Sequence, residues 1–344
     1  MSTDILIQNQ KPGNEMPCPE CGTVLNITSF NALDPLSCPN CGTTMIVPAE
    51  LGHYLLHRQL GEGAMGRVYQ ATDRDLERDV AVKILRKDIA ATPRMWTMLE
   101  KEARAAAGIS HNNVIRIYNM GKVLGRPYIV MELADFASLE EWMAESPLKE
   151  PMAVNVAIDV LQGLKAAAEA GLLHGDIKPA NIIITSKQTA KVADFGLSRF
   201  LERETEVQRW GTPYYMPPEK SQAISEDIRS DMYSLGATLF HLTAGRAPFE
   251  GTSGEEVIEK ALKDPTPHLH KVAPHLSRGF SDIVYRMMQR NPDDRFDTYD
   301  DALNCFIKLR DGTYRKKDAR RPRHKRDTRL HHMVQSLSRL VMDE

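Results

Sequence analysis

Two kinds of apolar periodicity divide the chain. Between about residues 54 and 132, short runs alternate apolar and polar positions: Tyr54-Leu55-Leu56, Val68-Tyr69-Gln70-Ala71, Asp79-Val80-Ala81-Val82-Lys83-Ile84-Leu85, Val114-Ile115-Arg116-Ile117-Tyr118 and Tyr128-Ile129-Val130-Met131-Glu132. A period of two predicts strands, here a five-stranded antiparallel lobe over residues 53–132. Thr92-Pro93 caps one helix inserted among them, running to about Gly108. From residue 133 to 310 the period becomes helical. Leu139 to Met143 and Ala153 to Ala170 read as helices, the second stopped by Gly171. Met232, Leu235, Leu239 and Leu242 mark a buried helix beginning at Asp231, and Leu303, Phe306 and Leu309 mark a later one on which Cys305 is a core residue. One interruption, Ile182-Ile183-Ile184 with Ala190-Lys191-Val192-Ala193, predicts a short hairpin. The fold class expected is α+β, a small sheet lobe followed by a larger helical one.

Ahead of this lies a different region. Residues 1–17 are polar and carry Gly and Pro, a flexible leader. Residues 18–44 contain Cys18-Pro-Glu-Cys21-Gly and Cys38-Pro-Asn-Cys41-Gly with 16 residues between the pairs, the spacing of a four-thiolate zinc site. Such turns aim two sulfurs at one point and resemble the knuckles of zinc ribbons. Four thiolates close the tetrahedron and leave no position for catalysis, so the zinc is structural and supplies folding energy to a segment with almost no core. The competing reading, a disulfide framework, fits secreted proteins rather than an enzyme of the cell interior. The span Cys18 to Cys41 holds no Lys or Arg; without charge to neutralise phosphates, a protein-docking or purely structural role is favoured over nucleic-acid binding. Thr43 to Gly52 reads as a connection.

Composition changes this picture at one end only. No apolar run reaches the roughly 18 residues of a membrane span, and Met1 to Gln10 lacks a secretory pattern, so a cytoplasmic location is the default expectation. The net charge of −2 conceals a tail, residues 311–344, with ten Lys or Arg against five Asp or Glu, leaving −7 for the rest. Arg315 to Arg329 is basic, and Leu330, Met333, Val334, Leu337 and Val341 give an amphipathic helix. A solvated tail is one reading; contact with nucleic acid, an anionic membrane surface or the acidic body of the same chain is the other.

The chemistry concentrates in His174-Gly175-Asp176-Ile177-Lys178-Pro179-Ala180-Asn181, followed after thirteen residues by Asp194-Phe195-Gly196. Phosphoryl transfer demands positioning more than covalent chemistry: one aspartate to orient a hydroxyl, an asparagine and a second aspartate to hold magnesium. Upstream, Leu60-Gly61-Glu62-Gly63-Ala64-Met65-Gly66-Arg67-Val68-Tyr69 places glycines at a hairpin tip, where backbone can approach phosphates. A dinucleotide fold would need a helix directly afterwards, whereas strand follows. Lys83 sits among apolar strand residues and needs a partner. Glu102 lies at helical spacing from Met95, Met98, Leu99 and Ala106, while Glu100 shares a face with Thr97 and Arg104; Glu102 is the partner expected.

These signatures, in this order over residues 53 to 310, resemble the eukaryotic-type (Hanks-type) serine/threonine protein kinases, bacterial members above all. The resemblance implies a two-lobed protein kinase fold, N-lobe 53–132 and C-lobe 133–310, using ATP with magnesium or manganese. It implies that Asp176, Lys178, Lys83 and Glu102 are catalytic, and that Asn181 and Asp194 hold the metal. It further implies that Leu60, Gly61, Gly63, Gly66, Val68, Ala81, Lys83, Met131, Glu132, Leu133 and Ile183 bind the nucleotide, Met131 guarding access behind the adenine and Ile183 forming its floor. Thr212, within Gly211-Thr212-Pro213-Tyr214-Tyr215-Met216-Pro217-Pro218-Glu219, docks protein substrate and with Lys178 marks preference for Ser and Thr. Asp231 anchors the catalytic loop, and Arg295 pairs with Glu219. One letter departs. Gly175 stands where the family has an arginine that pairs with a phosphorylated activation segment, so phosphorylation of Ser198 or Thr205 is expected to matter little to activity. Rival readings are a pseudokinase scaffold, which would typically have lost Lys83, Asp176 or Asp194; a small-molecule phosphotransferase, which would lack the Gly211 to Glu219 segment; and a zinc-directed nucleic-acid-associated regulator.

Overall fold

The computed structural model describes residues 11–63, 65–90, 92–123, 125–134, 137–195 and 213–319. They fall into two compact units, one of residues up to Ala107 with Arg116–Ala134, the other of Gly108–Ile115 with the chain from Asp135 onward.

The first unit begins with two small antiparallel hairpins, β1 (Glu15–Pro17) with β2 (Val24–Asn26) and β3 (Pro35–Ser37) with β4 (Thr44–Ile46). Met16, Leu25, Ile27, Met45 and Val47 bury together with Cys18 and Cys38 beneath Phe30 and Leu36. Part of the expected leader belongs to this body: Lys11 Nζ donates to the carbonyls of Ile27, Thr28 and Phe30 at 2.8, 3.0 and 3.2 Å.

The chain then runs into a six-stranded antiparallel sheet in the order β5-β6-β7-β8-β10-β9, with β5 (Ala49–Leu51), β6 (Tyr54–Gly63), β7 (Gly66–Asp73), β8 (Arg78–Leu85), β9 (Ile117–Val123) and β10 (Arg126–Glu132). The expected connection at 43–52 is therefore all of β4 and the edge strand β5, which makes one more strand in the sheet than the five anticipated. Three residues of low β-propensity give little local signal; pairing with β6 makes the strand. β9 also starts later than expected. Val114 and Ile115 instead pair with Val192 in the second unit, leaving Ile117 as the first strand residue.

Register sorts the sheet into two faces, because directly paired residues point the same way. Tyr69, Ala71, Val80, Val82, Ile84 and Val130 lie on one, joined by Leu56, Tyr54 and, from the hairpin region, Ala32 and Ile46 in a single buried cluster. The ribbon-like hairpins are thus packed on the sheet rather than tethered to it. Each large aliphatic side chain buried there contributes about 1.5–3 kcal/mol, and Leu56→Ala, at a position with no exposure, would cost about 2–5 kcal/mol. Val68, Ala81, Lys83, Ile129 and Met131 occupy the other face, as Val68 pairs with Lys83, Lys83 with Ile129 and Ala81 with Met131. Helix α1 (Pro93–Ala107), with Thr92 Oγ1 accepting from Met95 N, buries Leu99, Ala103 and Ala106.

The second unit is mainly helical: α2 (Leu139–Met143), α3 (Glu150–Glu169), α4 (Pro218–Ser221), α5 (Ile228–Ala244), α6 (Gly254–Lys263), α7 (Leu269–Val272), α8 (Arg278–Met287) and α9 (Tyr299–Arg310), with the hairpin β11 (Ile182–Ile184) and β12 (Ala190–Val192). Its centre is α5. Asp227 caps it through a reciprocal box with Ser230, so it starts before Asp231, and Gly245 in a left-handed conformation ends it. The helix is apolar nearly all round, hence buried nearly all round. Cys305 is a core residue as expected, with its thiol donating to Asp318 O and burial pushing its pKa up to about 11.

Candidate functional site

The glycine-rich turn is the β6–β7 hairpin tip, with Gly63 opposite Gly66. Its glycines differ in what they do. At Gly66, φ is +150° and a Cβ would stand 2.0 Å from Ile84 O, so the residue is demanded by close approach of β8. At Gly61 and Gly63 a Cβ would meet nothing within 4 Å; space is kept there along backbone that a phosphate chain can approach. Leu60 is exposed, and Val68 links Gly61 on one side to Lys83 on the other. Lys83 is 6% exposed in the central strand, and Glu102 sits on α1 of the same unit with Oε2 shut off from solvent. Glu100 is half-buried and pairs instead with the exposed Arg104 at 2.7 Å. Met131 is buried, and Glu132 N–H donates to Arg116 O at 2.8 Å.

In the second unit the loop 172–181 is held by groups far away in sequence. Asp231, 1% exposed, accepts from the backbone N–H groups of His174 (3.0 Å) and Gly175 (2.8 Å) and from the Tyr299 hydroxyl (3.1 Å). His174 is wholly buried. Asp176 N–H donates to its Nδ1 at 3.2 Å, which puts the ring proton on Nε2, 2.8 Å from Ala193 O. The ring also meets Phe195 edge-on at 4.7 Å. The hairpin β11–β12 thereby ties Asp194 to the loop, and Asp194 itself has φ of +63°, a conformation costing about 1–3 kcal/mol that tends to persist at functional sites.

Around Asp176 the expected side chains converge. Lys178 Nζ is 2.7 Å from Asp176 Oδ2 and Asn181 Nδ2 is 3.1 Å from the same oxygen. Asn181 Nδ2 also donates to Asp176 O at 2.8 Å, which leaves Asn181 Oδ1 as its acceptor for a cation. The spacing alone did not disclose that Asn181 orients the aspartate as well as offering a ligand. Ile183, half-buried, pairs with Lys191 within the hairpin.

Beneath lies the Glu219–Arg295 pair, expected from the resemblance: two hydrogen bonds of 2.7 and 2.8 Å at 5% and 0% exposure. Burial alone would raise the Glu219 pKa, but Arg295 and the Ser230 hydroxyl at 2.7 Å outweigh it and hold the carboxyl below its ordinary range. Thr212, Gly196 and the candidate phosphosites Ser198 and Thr205 lie outside the described residues, as does the tail beyond Ala319.

The four cysteine sulfurs all lie within 4.8 Å of one another, Cys18 to Cys41 and Cys21 to Cys38 at 3.6 Å. A tetrahedron of Zn–S bonds of about 2.3 Å has edges of about 3.8 Å, so the set fits zinc. Each turn is closed alike: Cys18 N donates to Thr23 O and Gly22 N to Cys18 O, repeated as Cys38 N to Thr43 O and Gly42 N to Cys38 O. Thr23 and Thr43, whose roles the cysteine spacing does not reveal, place hydroxyls 3.2 and 3.1 Å from Cys21 and Cys41 Sγ. Those contacts bring the Cys21 thiol down to about 5 and lower that of Cys41, whereas the Cys18 thiol, despite a backbone hydrogen bond at Cys21, is pushed up to about 11 by burial and by the Cys21 and Cys41 thiols beside it; a bound cation would favour the thiolate in all four.

The model of the protein kinase domain matches residues 54–305. The serine/threonine-protein kinase PknB of Mycobacterium leprae is 34% identical over 279 residues, 78% of this chain and 45% of the relative. A probable PknB of Corynebacterium glutamicum is 35% identical over 259 residues, 71% of this chain and 40% of the relative. The chain thus spans less than half the length of these curated relatives. The crystal structure of the Mycobacterium tuberculosis PknI kinase domain superposes with a TM-score of 0.62 at 26% identity, covering 75% of this chain and 97% of that one. With a matching model over most of its length and the loop geometry in place, this chain belongs to the protein kinase family.

Proposed function

We propose that the protein is a serine/threonine protein kinase that transfers the γ-phosphate of ATP to hydroxyls of a protein substrate. The observation that carries the reading is the convergence of Lys178 and Asn181 on Asp176, within hydrogen-bonding distance of one carboxylate oxygen. Asp176 orients the substrate hydroxyl and accepts its proton. Lys178, beside it, offsets charge on the group being transferred. Lys83, in partnership with Glu102, and the backbone around Gly61 and Gly63 bind the phosphates; Glu132, Leu133, Met131, Ala81, Val68 and Leu60, all of the first unit, are the residues assigned to the adenine. Asn181 and Asp194 would hold magnesium or manganese, which when bound neutralises phosphate charge. The PknB relatives are serine/threonine-protein kinases, and a protein substrate is assigned here as well. Activity is expected to depend little on phosphorylation at Ser198 or Thr205, because Gly175 offers no guanidinium to a phosphate.

The Cys18, Cys21, Cys38 and Cys41 cluster is assigned to structural zinc. The kinase reading is tested by intact-mass measurement and label transfer to a Ser/Thr peptide with Mg-ATP, comparing wild type with Asp194→Ala. Phosphate gain by the wild type alone supports it; equal gain by both, or none by the wild type, contradicts it.

A further inference from the structure

Gly175 is the residue where the loop lacks a cation, and the structure brings one to it from elsewhere. Lys220, on the short helix α4, donates from Nζ to Gly175 O at 2.8 Å across 45 positions of sequence. Its side chain is only 12% exposed, and Glu226 Oε1, 17% exposed, lies 3.8 Å from the ammonium. A lysine buried to that extent must be compensated. Here the Gly175 carbonyl and the Glu226 carboxylate supply the compensation.

The contact bears on Asp176 through covalent geometry. Gly175 C=O and Asp176 N–H belong to one planar peptide unit. Lys220 holds its oxygen end, while His174 Nδ1 accepts from its nitrogen end at 3.2 Å. The preceding peptide is held by Asp231, which takes the Gly175 N–H at 2.8 Å. Gly175 itself has φ of +74°, a left-handed conformation open to glycine and costing other residues about 1–2 kcal/mol. Both planes flanking Gly175 are thus fixed from outside the loop. Lys220 is fixed in turn, because it follows Glu219, which Arg295 clamps.

We propose that Lys220 is a positioning residue for the catalytic loop, setting the peptide plane of Asp176 from the carbonyl side and, with its charge met by Glu226, doing so without a phosphate on the activation segment. The proposal rests on the kinase reading and gives the weak dependence on phosphorylation a structural cause.

The test uses the full chain with Lys220→Met and Lys220→Arg. Hydrogen exchange of the peptide spanning residues 172–178 is followed, along with kcat, the KM values for ATP and peptide, and the thermal midpoint. Lys220→Met is expected to speed exchange in that peptide about tenfold and to lower kcat about 10–100-fold, as misplacement of a catalytic group does. KM for ATP should stay within about twofold and the midpoint should hold. Lys220→Arg, still a cationic donor, should recover much of both losses. Unchanged exchange and kcat in Lys220→Met overturn the proposal, as does an equal loss in both variants accompanied by a falling midpoint. Phosphatase treatment supplies the last arm. Wild type should keep its activity; if it loses activity, and loses it only when Lys220 is present, Lys220 is a phosphate receptor instead. A wild type that transfers no phosphate counts against the kinase reading, while the exchange result still decides the role of Lys220.

Discussion

The sulfur cluster and the catalytic loop both gather four or five polar groups around one point, and they are held together by opposite means. Around each pair of cysteines the closing hydrogen bonds span five residues or fewer: Cys18 N to Thr23 O, Gly22 N to Cys18 O, and the same again at Cys38 and Thr43. Around Asp176 the holding groups come from Lys220, Asp231 and Tyr299, all far along the chain and all in the helical unit. The first constellation is made by its own turns and, on the zinc reading proposed above, would be completed by metal; the second exists only once a large polar scaffold has been buried correctly. On that reading metal decides the stability of one, and buried ion pairing that of the other.

The largest effect separating them should follow removal of metal. Structural four-thiolate sites in small domains bind zinc with about 10–16 kcal/mol. Treatment with a strong chelator, or Cys38→Ser, should release one zinc per chain by elemental analysis and open residues 11–47 to protease, while α5 and α9 keep their hydrogen-exchange protection. Because Ala32 and Ile46 share the buried cluster of the sheet, the exchange of β6 to β8 should also quicken. Protection lost equally in both units would erase the distinction drawn here.

Next in size is Glu219→Ala, which strands Arg295 in the interior and should cost about 3–5 kcal/mol, read as a lowered midpoint in urea with zinc content unchanged. Acid should expose the same pair more gently. The carboxyl of Glu219 is held below its unfolded value of about 4.3, so its stabilisation is present above that pH and is lost as pH falls through the lower folded value. Stability should drop below about pH 4 in the wild type, and Glu219→Gln, measured by urea unfolding across that range, should lack this portion of the slope. The smallest effect expected is Thr23→Val in the knuckle, about 0.5–1.5 kcal/mol for one hydrogen bond, visible as weaker competition for zinc against a chromogenic chelator and as no change in kinase turnover.

The same contrast explains what was legible in the sequence. Cysteine spacing announced the cluster of four sulfurs in full because its determinants are local. The letters from His174 to Asp194 announced the cluster of Asp176, Lys178 and Asn181 and the β11–β12 hairpin, and helical spacing distinguished Glu102, with one carboxylate oxygen shut off from solvent, from Glu100, which pairs with Arg104. Contacts made by tertiary packing carried no such signal. Strand β5 is three residues long and owes its existence to β6; Val114 and Ile115 look like strand but leave the sheet to pair with Val192. Lys220 reads as an ordinary charge after Glu219, and nothing in its neighbourhood points 45 residues back to Gly175. Gly66 matched the phosphate-loop pattern while being required by Ile84 O. A motif can be recognised for one reason and its residue demanded by another.

The central claim is that Asp176, oriented by Lys178 and Asn181, serves as the proton acceptor in phosphate transfer. Single-turnover label transfer from ATP to a Ser/Thr peptide, with wild type and Asp176→Asn compared at equal nucleotide occupancy, tests it most directly. The account predicts a rate lower by about 10²–10⁴-fold in Asp176→Asn with nucleotide affinity retained. Transfer by Asp176→Asn at the wild-type rate would contradict it.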